Sequence, residues 1–317
     1  MINRTLVRTR VVQILYAYNQ CGDKTPSTAR KELLRSFSDT YSLYFMILDF
    51  VNELTTYAEN QISEMIARSK ATHTVYKPNR RFVENKFAQQ VFENVTLRHY
   101  VAEEHLSWEA GQTAFAAIYA DLQNAPFYKE YMAAPQVGYT EDKAVWRRIM
   151  SELLPGNEAF MSALEELEVA LDRRNWTVDS DVVLSYAVKS IRQFREGNGA
   201  TQPLLQMFDH EEELQFAQDL LASAIEHHDE LMDYVHQHLK NWDADRLAIM
   251  DTIILQAALA ELLYFPDIAL EVTLNEYIEL AKEYSGDKSY LFVNGILNEI
   301  LLDLKRQGKL VKAAALR

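Results

Sequence analysis

The chain has 317 residues, of which 48% are hydrophobic and 25% charged, enough apolar material for one large or two ordinary domains. Only nine glycines and seven prolines interrupt it, which argues against a meander of short strands and for long helices. The single cysteine, Cys21, excludes an internal disulfide framework and a cysteine-rich zinc site, and the formal charge of −14 argues at first against nucleic acid.

The charge is unevenly placed. Residues 1–35 carry a net +5 and residues 301–317 a net +4, so the intervening stretch carries −23. Basic ends that met in the fold would form a patch able to neutralise phosphates. Composition alone leaves two solvated termini as the alternative.

In chain order, residues 3–20 read as an amphipathic helix. Val7, Val11, Ile14, Leu15 and Tyr18 share a face, with Arg4, Arg8 and Arg10 largely outside that stripe. Arginines alternating with apolar residues, and no small-residue cleavage site after them, distinguish this segment from a signal peptide and point to a cytoplasmic protein. Gly22 and Pro26 mark a loop, residues 28–70 read as two helices, and Pro78 lies in a break. Residues 80–205 are helical in composition. Trp108 to Leu122, Val145 to Leu153 and Glu158 to Asp172 each show apolar residues at helical spacing, best read as core, and Glu196 to Pro203 is the clearest internal loop.

From Glu211 to Leu239 the pattern predicts one long helix, acidic at its start as the helix dipole favours. Arg246 to Phe265 is nearly continuously apolar, the expected centre of a bundle, and Pro266 ends it. It also carries Asp251, Gln256 and Glu261, which exclude it as a membrane span. Glu271 to Tyr284 is amphipathic and stops at Gly286, with Asp287 or Ser289 capping a last helix through about Lys305. Gly295 inside that helix predicts close packing against another backbone, since glycine there costs about 1 kcal/mol relative to alanine.

Two segments together resemble the NusB family. One is the run Asn241 to Tyr264 followed by Pro266-Asp-Ile and by Asn275-Glu-Tyr-Ile-Glu-Leu-Ala-Lys-Glu-Tyr-Ser-Gly-Asp-Lys-Ser-Tyr-Leu-Phe-Val-Asn-Gly-Ile-Leu297. The other is the arginine-bearing first helix leading into Val12-Gln-Ile-Leu-Tyr16. The resemblance implies an all-α, NusB-like helical bundle with an additional helical region. The expected division is residues 1–72 as N-terminal helices, 73–205 as a helical insertion, and 206–317 as the NusB-like C-terminal domain.

By the same resemblance the chain is a non-enzymatic, RNA-binding antitermination factor. Its implied partners are single-stranded boxA-type RNA, the NusE ribosomal protein and the RNA polymerase antitermination complex. Carried over by position, Arg4, Arg8, Arg10, Lys288, Tyr290 and Phe292 are the RNA candidates: cations for phosphates and aromatics for unpaired bases, with a core position the equal alternative for Phe292. The turn Gly286 to Ser289 also offers backbone N–H groups at a helix start, a natural phosphate site. Tyr16, Asp245 and Asp251 are the candidates for the protein partner, where acids facing a basic ribosomal protein make electrostatic sense. The cluster is thinner than the family pattern, with Thr5, Leu6 and Leu291 at positions where basic residues are common. A NusB-fold interaction module without RNA binding is the alternative.

No catalytic arrangement stands out. His228 and His236 share a helix face but lie about 12 Å apart along the axis, too far for one metal. There is no Gly-rich phosphate loop, no dinucleotide fingerprint, and neither cofactor nor metal is expected.

Overall fold

The computed structural model describes residues 1–20, 25–239, 248–286 and 288–310. Among these there is no sheet; a parallel bridge between Ile2 and Phe208 is the extent of the extended pairing. The helices are α1 (Arg4–Gln20), α2 (Pro26–Ala71), α3 (Lys86–Glu93), α4 (Val95–Glu103), α5 (Phe115–Asn124), α6 (Pro126–Ala133) and α7 (Tyr139–Arg148). There follow α8 (Glu158–Ala170), α9 (Trp176–Gln193), α10 (Glu211–Glu226), α11 (His228–His238), α12 (Ile249–Tyr264), α13 (Leu270–Tyr284) and α14 (Ser289–Arg306). The chain forms two compact units. Residues 1–35 and 208–317 make one, the terminal unit, and residues 36–207 make the other, the middle unit. Their limits fall at 35/36 and 207/208, against the expected divisions at 72/73 and 205/206.

Three elements differ from the sequence expectation. Residues 28–70 form one helix rather than two, because after Pro26 at its first turn neither glycine nor proline interrupts α2. Conversely, the expected single helix over 211–239 is two, broken at His227 (φ −102°, ψ 18°), whose ring stacks on Tyr264 at 4.2 Å. The expected helix beginning near Trp108 starts instead at Phe115, although Trp108 is buried and donates from Nε1 to the Met46 carbonyl.

In the terminal unit α12 touches α1, α10, α11, α13 and α14, and eleven of its residues are buried. That accounts for a helix apolar on every side. The exceptions among those eleven have partners. Gln256 donates to the Ala224 carbonyl at 2.7 Å, and Asp251 accepts from Ser285 Oγ. Glu261, fully buried, accepts from Arg8 Nε (2.7 Å) and Nη2 (2.9 Å), from Thr273 Oγ1 (2.7 Å) and from the Tyr277 hydroxyl (3.2 Å). Arg8 also lies 3.5 Å from Glu276. Burial opposes the charge on Arg8, but the bond and charge of Glu261 prevail and its pKa is raised. Burial, and next the Glu261 charge, lift the Tyr277 phenol well above its usual range.

The middle unit is held by aromatic packing and side-chain caps. Phe50, Trp108, Phe115 and Phe160 form one cluster with ring centres 5.3 to 6.4 Å apart. Trp176 donates to the Asp39 carbonyl at 2.8 Å. Asn94 ends α3 and caps α4 by accepting from Leu97 N, while its Nδ2 donates to the Gln202 carbonyl. Close approach occurs at Gly111, where an added Cβ would stand 3.1 Å from Ala163 Cβ. The close approach expected at Gly295 is absent: that residue is solvent-exposed and an added Cβ meets nothing within 4 Å.

Two outcomes follow for thermal or denaturant unfolding. Arg8→Ala, leaving Glu261 buried without its countercharge, should cost about 3–5 kcal/mol, and Arg8→Met with Glu261→Leu should recover most of that loss. Gly111→Val should destabilise by about 1–3 kcal/mol through overpacking, whereas Gly295→Ala should stabilise by up to about 1 kcal/mol.

Candidate nucleic-acid interface

The candidate cations do not share one environment. Arg4, 42% exposed, lies 3.5 Å from Glu213 Oε2, with its guanidinium 5.1 Å from the centre of the Phe216 ring. It lines an open groove together with Glu212, Asp219, Glu226 and Asp267, an acidic neighbourhood. Arg8 is enclosed in the core described above. Arg10 is 1% exposed and donates from Nη1 to Gln13 Oε1 at 2.7 Å. The expectation that these arginines stand outside the apolar stripe is therefore corrected for Arg8 and Arg10. Their alkyl stems pass through the core and their heads find partners there.

Gln13 in turn donates from Nε2 to the Tyr284 hydroxyl at 3.3 Å. This Arg10–Gln13–Tyr284 relay sets the middle of α1 against the last residue of α13, two positions before Gly286. Arg4 stands nine residues earlier on α1, about 14 Å back along the axis, and is not part of that corner.

At the corner, Lys288 is exposed and occupies the left-handed region at φ +73°, as the residue preceding α14. Asp287 lies outside the described residues. Tyr290 is half-buried, and Lys282 Nζ sits 5.5 Å from its ring centre while pairing with Glu279 at 2.6 Å. Phe292 is only 8% exposed and belongs to the buried face of α14 with Val293, Ile296, Leu297 and Ile300. A base cannot stack on it as it stands. The spacing of four between Phe292, Ile296, Ile300 and Leu304 is the sequence signal for that core position, and the same phase leaves Leu291 outward at 53% exposure.

Of the candidates for a protein partner, Tyr16 is 40% exposed. Asp251 is 5% exposed and is engaged by Ser285. Asp245 lies outside the described residues. Sequence reasoning passed over Gln13, Lys282 and Tyr284. All three lie within or beside the segments that carry the resemblance, but nothing local marks a hydrogen bond between residues 271 positions apart.

The geometry supplies one exposed cation in the turn that starts α14 and a half-buried phenol beside it. The model of the NusB family matches residues 184–301. The chain is 43% identical over 99 residues to the transcription antitermination protein NusB of Bacillus pumilus (strain SAFR-032), covering 31% of this chain and 76% of that protein. It is 41% identical over 98 residues to the protein of the same name from Bacillus subtilis (strain 168), covering 31% and 75%. It is also 39% identical over 89 residues to that of Finegoldia magna, covering 28% and 65%. No solved structure matches the chain. These matches fall on the C-terminal part of the chain and largely on the terminal unit, whose helices carry the shared sequence. The chain belongs to the NusB family of non-enzymatic transcription antitermination factors.

Proposed function

We propose that this protein acts as an adaptor in antitermination, holding single-stranded boxA-type RNA together with the NusE ribosomal protein within the RNA polymerase complex. The observation that carries the reading is the Arg10–Gln13–Tyr284 relay, which joins the first helix to the α13–α14 corner. Of the six expected RNA residues, Lys288 and Tyr290 are the ones displayed there. Lys288 meets a phosphate beside the N–H groups of α14, and Tyr290 with Lys282 over its face receives an unpaired base. Arg10 and Gln13 position the corner from beneath, Arg8 anchors α1, and Arg4 flanks the site at a distance. Tyr16 offers exposed aromatic surface to the protein partner, and Asp245 is the remaining acid proposed for that contact. A cytoplasmic location accords with this role, and among the described residues no helix is long and apolar enough to cross a membrane.

The alternative, an interaction module without RNA binding, draws on the burial of Arg8 and Arg10 and the charge of −14. Fluorescence anisotropy with a labelled boxA-type RNA, with and without NusE, separates the two. Lys288→Ala should weaken binding and lower the slope of log K against log salt by about 0.7. Tyr290→Ala should cost about 1–3 kcal/mol with little change of slope. Arg4→Ala should have a smaller effect than either. RNA binding absent even with NusE would favour the interaction module, and RNA affinity unmoved by both Lys288→Ala and Tyr290→Ala would remove the site from this corner.

A further inference from the structure

The middle unit contains a groove that the antitermination role does not use. Asp49 and Glu53 stand one turn apart on α2 and line an open hollow of about 880 Å³, walled on its far side by α4. A second hollow of about 380 Å³ shares Asn52, Thr56 and Phe92 with it, so the groove runs on along α2 toward α3. On its rim Phe92 and Val95 are 61% and 59% exposed, unusual for neighbouring large apolar residues.

The floor is rich in acceptors. Asn52 donates from Nδ2 to Asp49 Oδ1 at 2.8 Å, but its own Oδ1 is shielded from solvent and receives no hydrogen bond. Among the described residues neither Asp49 nor Glu53 forms an ion pair. Burial raises the pKa of both carboxyls, and the Asp49 charge raises that of Glu53 further. Arg98, His99 and His105 of the opposite wall are all exposed and, among the described residues, none pairs with either carboxyl; His99 lies 3.2 Å from Glu103. Two like charges one turn apart, half withdrawn from water, and an orphaned amide oxygen weigh on the stability of the free protein. A donor-bearing cation supplied from outside would satisfy both carboxylates.

We propose that this groove docks a protein segment presenting a lysine or arginine beside an apolar side chain. The cation lies between Asp49 and Glu53, while the apolar group covers Phe92 and Val95. Nucleic acid is disfavoured, since its phosphates would face the two carboxylates. The groove lies outside residues 184–301, so the inference stands apart from the RNA reading.

The test uses the full chain and fluorescein-labelled helical peptides carrying lysine with leucine four residues later, against a matched set with glutamate for lysine. The lysine set should bind saturably, and the glutamate set at least tenfold more weakly. Glu53→Gln and Phe92→Ser should each weaken the lysine peptides at least tenfold with unchanged helical circular dichroism. Independently of any ligand, Glu53→Gln should raise the melting temperature by removing the repulsion. The proposal is overturned if no lysine peptide binds, if both sets bind alike, if the two substitutions leave affinity unchanged, or if Glu53→Gln lowers the melting temperature. Displacement of the peptides by single-stranded RNA that depends on Arg98 would also overturn it, assigning the groove to nucleic acid.

Discussion

The terminal unit depends on a buried carboxylate. Glu261 sits in the last turn of a helix enclosed by five others and has no access to water, so its charge requires donors from its neighbours. Arg8 supplies two of them in a forked arrangement that only guanidinium provides, and Thr273 and Tyr277 complete the set. Because these donors come from α1 and α13, satisfying one side chain fixes the positions of both helices against α12. The polar core specifies an arrangement that apolar packing alone would leave freer to slide.

The proposed binding corner inherits its geometry from that constraint. Once Arg8 is locked, the next turn of α1 places Arg10 and Gln13 at the level of Tyr284, and the turn into α14 begins directly beyond. The residues displayed to solvent are few, but they stand at the start of a well-packed helix, Lys288 in the turn before α14 and Tyr290 in its first turn. A thin cationic surface can then bind through orientation as well as through charge.

The helical class was legible in the scarcity of glycine and proline, and α12 in an apolar run ended by Pro266. The family was legible in the order of short motifs from Asn241 to Leu297. What escaped was decided by partners remote in sequence. Arg8 reads as a surface cation until Glu261, 253 positions away, is placed beside it. The break at His227 contains neither glycine nor proline and coincides with packing on Tyr264, which no local pattern announces. Phe292 was legible, since its four-residue spacing to Ile296 and Ile300 places it inward, and the core reading that stood beside the stacking one is the one the fold adopts. Gly295 lies off that stripe, which explains why nothing packs on it.

The terminal unit is assembled from two stretches of chain separated by the whole of the middle unit. During synthesis α1 emerges 253 residues ahead of the carboxylate that neutralises Arg8. Throughout that interval the first helix lacks the surface it is built to cover, while residues 36–207 already contain their own core and can fold ahead of it. Maturation can thus run inside out: the middle unit is able to complete its core early, and the terminal unit closes only once α12 and α13 meet α1.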